Sequence, residues 1–279
     1  MLKKIGCLLF ALTFMLSAAS CAAKKDETIT VLTREDGSGT RGAFVELFEL
    51  KGESGDAIKA DAEVKNTTSV ILTSVAGNKN SIGYISLGSL NDTVKTLQID
   101  GVTPTVENVA NGNYKVSRPF IIAHMNSLSD AAQDFINYIL SDQGQEIIDA
   151  NGYVKMTGTG EYKTGTASGK VVIGGSSSVS PVMEKLKEAY ALVNPAISVE
   201  IQTSDSSTGL SSAVSGVYEI AMSSRELKDS EIAEGLIHTV IAIDGIAVIV
   251  NKENSLSNIK KEQVSGIYKG EITLWSEIG

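Results

Sequence analysis

Four times in this chain a short apolar run breaks into a loop of serine, threonine and glycine and then into a helix start. The first loop, after Ile29–Thr33, is Thr33-Arg34-Glu35-Asp36-Gly37-Ser38-Gly39-Thr40-Arg41. The second is Gly174-Gly175-Ser176-Ser177-Ser178-Val179-Ser180-Pro181, and the third is Ser204-Asp205-Ser206-Ser207-Thr208-Gly209. The fourth, Ser223-Ser224-Arg225, follows the strand Glu219–Met222. Alternation of this kind describes an α/β fold, with helices packed on the faces of a sheet. It also puts the four loops at the carboxyl ends of strands, where open α/β sheets bind ligands.

Each loop offers hydroxyls and free backbone N–H groups at a helix N-terminus. That end carries about half a unit of positive charge and suits a tetrahedral oxyanion. Pro181 fits the first turn of a helix, where its missing N–H costs nothing. One such loop alone reads equally well as a plain N-cap. Four in one chain, one of them carrying Arg34, point to a ligand.

The remaining elements follow from period and punctuation. Gly42–Glu49 and Pro181–Val193 read as helices, and a further helix runs to Gly216. Ser81–Ile85, Lys170–Ile173 and Ser198–Thr203 read as strands. Ser129–Ala150 reads as one helix stopped by Asn151-Gly152. Thr239–Val250 is almost continuously apolar and is broken by Asp244-Gly245. It predicts either two buried strands or one bent strand passing between lobes. Gly158–Gly169, rich in Gly and Thr, reads as a linker.

Residues 1–20 read as a signal peptide. Lys3 and Lys4 precede an apolar run from Ile5 that is too short to span a bilayer comfortably, followed by Ala18, Ala19 and Ser20. Cys21 comes next, and a lone cysteine in an exported chain needs a role. Small residues before Cys resemble a bacterial lipoprotein cleavage site, although Ala18 stands where leucine is usual. Residues 21–27 then form a tether, and the protein is expected outside the cytoplasm, anchored to the cell membrane. Ordinary cleavage leaving a free thiol is the alternative.

Of 24 basic residues, losing Lys3 and Lys4 leaves 22 against 33 acidic ones, a net charge of −11. That balance excludes a nucleic-acid partner, which calls for a basic patch. It does not exclude a small anion held at contact range, because charges beyond about 8 Å are largely screened at physiological salt.

Enzyme readings find little support. His124 and His238 lie beside apolar runs, no G-x-S-x-G elbow is present, and no His/Cys cluster has metal-ligand spacing. Gly37, Gly39 and Gly42 match G-x-G-x-x-G, but no clear second strand with a ribose-binding acid follows. No catalytic residues, metal or cofactor are therefore expected. A nucleotide-dependent enzyme built on Gly37–Gly42 and an adhesion protein using the loops only as caps remain as alternatives.

Taken together, the four loops resemble those of the phosphate-binding proteins that serve phosphate-specific ABC transporters. The match is clearest at Arg34-Glu35-Asp36-Gly37-Ser38-Gly39-Thr40. It extends to Ile82-Gly83-Tyr84-Ile85, Thr239–Val250 and Ile272-Thr273-Leu274-Trp275, and so covers nearly all of residues 28–279. The order is permuted: the half that usually comes second stands first here, with 158–169 joining the usual ends. A gene model fusing tandem copies would give the same order, but the coherent signal peptide weighs against it.

The resemblance implies a two-lobed periplasmic-binding-protein-like (type II) α/β fold, circularly permuted, with a ligand cleft between lobes. One lobe would combine 28–117 with 249–279 and the other would be 118–248. The hinge would lie near Ser117-Arg118-Pro119 and Val248-Ile249-Val250. Inorganic phosphate would meet Arg34, Ser38, Gly39 and Thr40 from one lobe and Ser177, Ser178, Ser206 and Ser224 from the other. Asp36 would orient Arg34, and Arg225 would stand behind the contacts. Some family members carry Asp in the fourth loop to accept the phosphate's proton and reject sulfate. Here Ser224 stands there, which leaves Asp36, Asp205 or a hydroxyl as acceptor and keeps another sulfate-like oxyanion open as ligand. The implied partners are the membrane permease and ATPase of an ABC transporter, and the implied protein is a monomer that catalyses nothing.

Overall fold

The computed structural model describes residues 28–53 and 55–278. The signal segment, the tether and Cys21 lie outside the described residues. The chain opens with Thr30–Arg34 (β1), Gly39–Leu47 (α1), Glu63–Lys65 (β2), Thr68–Gly77 (α2) and Ser81–Ser86 (β3). Ser117–His124 (β4) leads to Asp130–Leu140 (α3) and Asp142–Ala150 (α4). Then come Gly169–Ser176 (β5), Ser180–Val193 (α5), Ile197–Ser204 (β6), Ser206–Val214 (α6) and Ile220–Ser223 (β7). Ile237–Asn251 (β8) and Lys261–Lys269 (α7) close the fold.

The main sheet runs β6-β5-β7-β4-β8-β3-β1-β2. Strands β6, β5 and β7 are parallel, as are β3, β1 and β2. Between these groups, β4 and β8 run antiparallel to each other and to their outer neighbours. Each parallel group has its own core. The first gathers residues 29–116 with Ile246–Val250, Val264, Ile267 and Tyr268. The second gathers Phe120 to Ala242, including Phe135, Ile173, Leu186 and Tyr190.

β8 is a single bent strand. Ile237–Gly245 pairs with β4 and Ile246–Val250 pairs with β3, and the register shifts between Val240 and Ala242. Its crossing from one core to the other therefore falls at Asp244–Ile246, earlier than the expected Val248–Val250. Those three residues already face Tyr84, Gly83 and Ile82 and are fully buried in the first core.

The expected helix over 129–150 is two helices. Ser141 Oγ donates to the Tyr138 carbonyl at 2.7 Å and accepts from Gly144 N at 3.2 Å, so one serine ends α3 and caps α4. A Cβ at Gly144 would sit 2.1 Å from the Tyr138 carbonyl oxygen, so only glycine lets α4 start this close. The 158–169 segment has no regular structure until β5, yet it is pinned. The Tyr162 hydroxyl donates to Asp134 at 2.7 Å, and its ring meets Tyr138 edge-on. The two ends of the described chain lie side by side, with Ile29 N donating to the Thr273 carbonyl at 2.8 Å and Thr28 bridging Leu274.

Candidate functional site

Tyr84 builds the first loop from below. Its ring stacks on Phe44 of α1 at 3.9 Å. Its hydroxyl meets Thr33 Oγ1 at 2.8 Å and accepts from Arg34 N at 3.1 Å. Burial pushes its phenol up, so the group stays neutral. The loop then ends sooner than expected. Ser38 caps α1 by accepting from Arg41 N at 3.3 Å, and the helix begins at Gly39 rather than Gly42. Gly39 and Thr40 thus lie in its first turn, where N–H groups have no partner within the helix.

Three further helix N-termini converge on the same place. Thr67 caps α2, Asp205 caps α6, and α5 begins at Ser180 beside Ser177 and Ser178. Helices α1 and α2 belong to the first core and α5 to the second, while α6 packs on the other side of the second strand group, its Leu210 and Ala213 meeting Ile121, Ala123 and Ala221. Their hydroxyls form one connected network. Arg34 Nη2 donates to Ser177 Oγ at 3.1 Å and Nη1 donates to Thr68 Oγ1 at 3.4 Å. Ser178 Oγ lies 2.9 Å from Thr40 Oγ1 and 3.2 Å from Thr68 Oγ1. Ser178 N donates to Ser176 Oγ at 3.3 Å, Ser176 Oγ donates to Ser224 Oγ at 2.9 Å, and Ser206 Oγ accepts from Ser224 N at 3.1 Å. All of these side chains are buried. Arg34, Thr40, Ser177, Ser178, Ser206 and Ser224 are thus brought together, with Gly39 packed on Ser206 and Ser224 and Ser38 capping the helix alongside.

The two outer residues are placed differently from expectation. Asp36 does not orient Arg34: its side chain is 94% exposed and pairs with Arg41 at 2.8 Å. Glu35 takes that role, accepting from Arg34 Nε at 2.8 Å and Nη2 at 2.7 Å. The physical reason is reach, since Arg34 is buried and the Asp36 side chain turns out of the loop toward Arg41. Arg225 does not enter the network either. It pairs with Glu231 at 2.7 Å and donates to Ser207 Oγ at 3.1 Å, and it stands at the rim beside Gly42.

Three contributors escaped the sequence reading. Thr68 lies in Thr67-Thr68-Ser69, a fifth strand–hydroxyl–helix junction that follows the short, polar β2. The hydroxyl run was the usable signal, and the weak strand before it hid the junction. Ser176 is the last residue of β5 and meets Ser224. Arg118 lies beneath the fourth loop, its Nη1 donating to the Ser224 carbonyl at 3.2 Å.

Comparison with known proteins places this geometry. A family model described as a PBP superfamily domain matches residues 17–143 and 160–279. The chain is 51% identical over 257 residues to "Phosphate-binding protein PstS 2" of Streptococcus agalactiae, covering 90% of this chain and 88% of that protein. It is 42% identical over 267 residues to the protein of the same name from Streptococcus pneumoniae, covering 93% and 91%. A crystal structure of a phosphate ABC transporter phosphate-binding protein from S. pneumoniae superposes with a TM-score of 0.72 at 42% identity, covering 90% of this chain and all of that one. Because the alignments run through nearly all of both chains, these relatives carry the two halves in the same order, which removes the fused-gene explanation. The chain belongs to the PBP superfamily and, within it, to the phosphate-binding proteins of phosphate ABC transporters.

Proposed function

We propose that this protein binds inorganic phosphate outside the cytoplasm and delivers it to an ABC transporter for import. The observation that carries the reading is the meeting of four helix N-termini, Arg34 and a set of buried hydroxyls from both cores. Arg34 donates charge-assisted bonds, and Ser38, Gly39 and Thr40 donate from hydroxyls and backbone N–H groups. Ser177, Ser178, Ser206 and Ser224 donate from the opposite side, and the lobes close over the anion. A micromolar ligand needs about −8 kcal/mol. Hydrogen bonds to charged groups net roughly 1.5–3 kcal/mol each, so a handful suffices after ordering costs.

Glu35 offsets part of the Arg34 charge, so the helix ends and hydroxyls share the attraction at contact range with Arg34. Of the acceptors considered for the phosphate's proton, Asp36 faces Arg41 and both Asp205 oxygens serve Thr208. A hydroxyl, which can both donate and accept, takes that role. The protein performs no reaction. Cys21 carries a lipid anchor, and the chain acts as a monomer beside its permease and ATPase.

Calorimetric titration with phosphate and with sulfate tests this reading. Phosphate binds more tightly, and equal affinities would sink the phosphate-specific assignment. Arg34→Ala lowers phosphate affinity by about 100-fold or more, the loss of two charge-assisted bonds.

A further inference from the structure

The three glycines of the first loop have the spacing of a nucleotide fingerprint, but here they face the second core. A Cβ on Gly37 would lie 2.2 Å from Asp205 Oδ1 and 2.6 Å from its Cγ. One on Gly39 would lie 2.4 Å from Ser206 Oγ and 2.6 Å from Ser224 Oγ. One on Gly42 would lie 3.2 Å from Arg225 Cδ. None of the three has a left-handed φ, so their own backbone does not demand glycine. At Gly37 and Gly39 the opposing surface does, whereas at Gly42 the Arg225 side chain need give only a few tenths of an ångström.

That surface cannot easily step aside. Asp205 accepts from Thr208 N at 2.9 Å and Thr208 Oγ1 at 2.6 Å, which caps α6. Arg225 is held by two bonds to Glu231 and one to Ser207. Ser206 and Ser224 are wholly buried. The seam is also closed by a backbone bond, Ser207 N donating to the Gly37 carbonyl at 3.2 Å.

We propose that Gly37 and Gly39 are positioning residues for anion binding. Their missing side chains let the two cores meet closely enough for Thr40 and Arg34 to reach Ser178 and Ser177. The proposal rests on the phosphate reading. Alanine at Gly37 is conformationally permitted, so it leaves each core intact and acts only when the cores approach. It lowers the closed fraction, and apparent affinity falls with that fraction.

The test is calorimetric titration of the purified chain with inorganic phosphate, paired with small-angle X-ray scattering and thermal unfolding. Gly37→Ala unfolds within ~2 °C of wild type in the absence of phosphate. It binds phosphate about tenfold more weakly or worse, and phosphate no longer compacts it. Adding Asp205→Gly removes the carboxylate that the new Cβ meets and recovers affinity to within about threefold, since glycine is tolerated at an N-cap. Unaltered affinity in Gly37→Ala overturns the proposal, as does a loss that Asp205→Gly fails to relieve. A wild-type chain that takes no phosphate overturns the phosphate reading and the proposal together. Wild-type binding with an unaffected Gly37→Ala overturns the proposal alone.

Discussion

Arg118 and Asp244 face each other in the β4–β8 ladder and form a 3.1 Å ion pair with side chains 1% and 0% exposed. The pair sits where the chain passes between cores. Asp244 Oδ1 accepts from Ser86 Oγ at 2.9 Å and Gly88 N at 3.4 Å, both on the first-core side. Arg118 reaches the Ser224 carbonyl on the second. Burial pushes the Asp244 carboxyl up, while Arg118 and the Ser86 and Gly88 bonds pull it down.

Removing one partner leaves a buried charge without compensation. Asp244→Ala therefore costs about 3–5 kcal/mol, whereas Arg118→Met with Asp244→Leu falls much closer to wild type. Urea unfolding midpoints of the three chains check this ordering.

Glu35 and Asp36 are neighbours with opposite expected effects. Asp36→Ala leaves phosphate affinity within about twofold, because an exposed pair contributes little. Glu35→Ala frees the Arg34 fork and weakens binding by about 5–30-fold, the equivalent of one or two hydrogen bonds. Calorimetry on both variants separates the two roles.

That pair also marks how far the sequence could be read. The strand–hydroxyl–helix repeat identified the loops bearing Arg34, Ser177, Ser206 and Ser224, because N-cap chemistry is local and leaves a local trace. Which acid faces Arg34 depends on how adjacent side chains turn from a tight loop, and spacing does not encode that. Thr68 was hidden because β2 is polar and only three residues long. The bend of β8 was legible at Asp244-Gly245, but its crossing point depends on β3 pairing with residues far away in sequence.

Asp134 anchors the 158–169 segment by accepting from Tyr162, Tyr190 and Asn194. Asp134→Ala leaves the buried Tyr190 hydroxyl and Asn194 amide without this acceptor and costs about 2–4 kcal/mol. Thermal unfolding drops accordingly, and limited proteolysis cuts within 158–169 sooner. Phosphate affinity stays at the wild-type value, since the cluster lies outside the hydroxyl network.

Glu231 gives the fold an acid-sensitive contact. Burial acts to raise its carboxyl, but the bonds from Arg225 and from Lys228 N outweigh this and hold it below the ordinary range. Its contribution is therefore present above the unfolded value of about 4.3 and is lost as pH falls through the lower folded value. Urea midpoints measured from pH 6 to pH 3 fall less steeply for Glu231→Gln than for wild type.

The paired crossing of β4 and β8 sets the kind of movement available to the two cores. Two hydrogen-bonded strands side by side behave as a leaf spring rather than a ball joint. They flex across their pleat, while twisting about their length strains the ladder that joins them. In the proposed closure the cores would approach along one arc, so that each hydroxyl meets the same counterpart each time. Alignment at the cleft is inherited from strand register at Asp244↔Arg118, directly beneath the fourth loop.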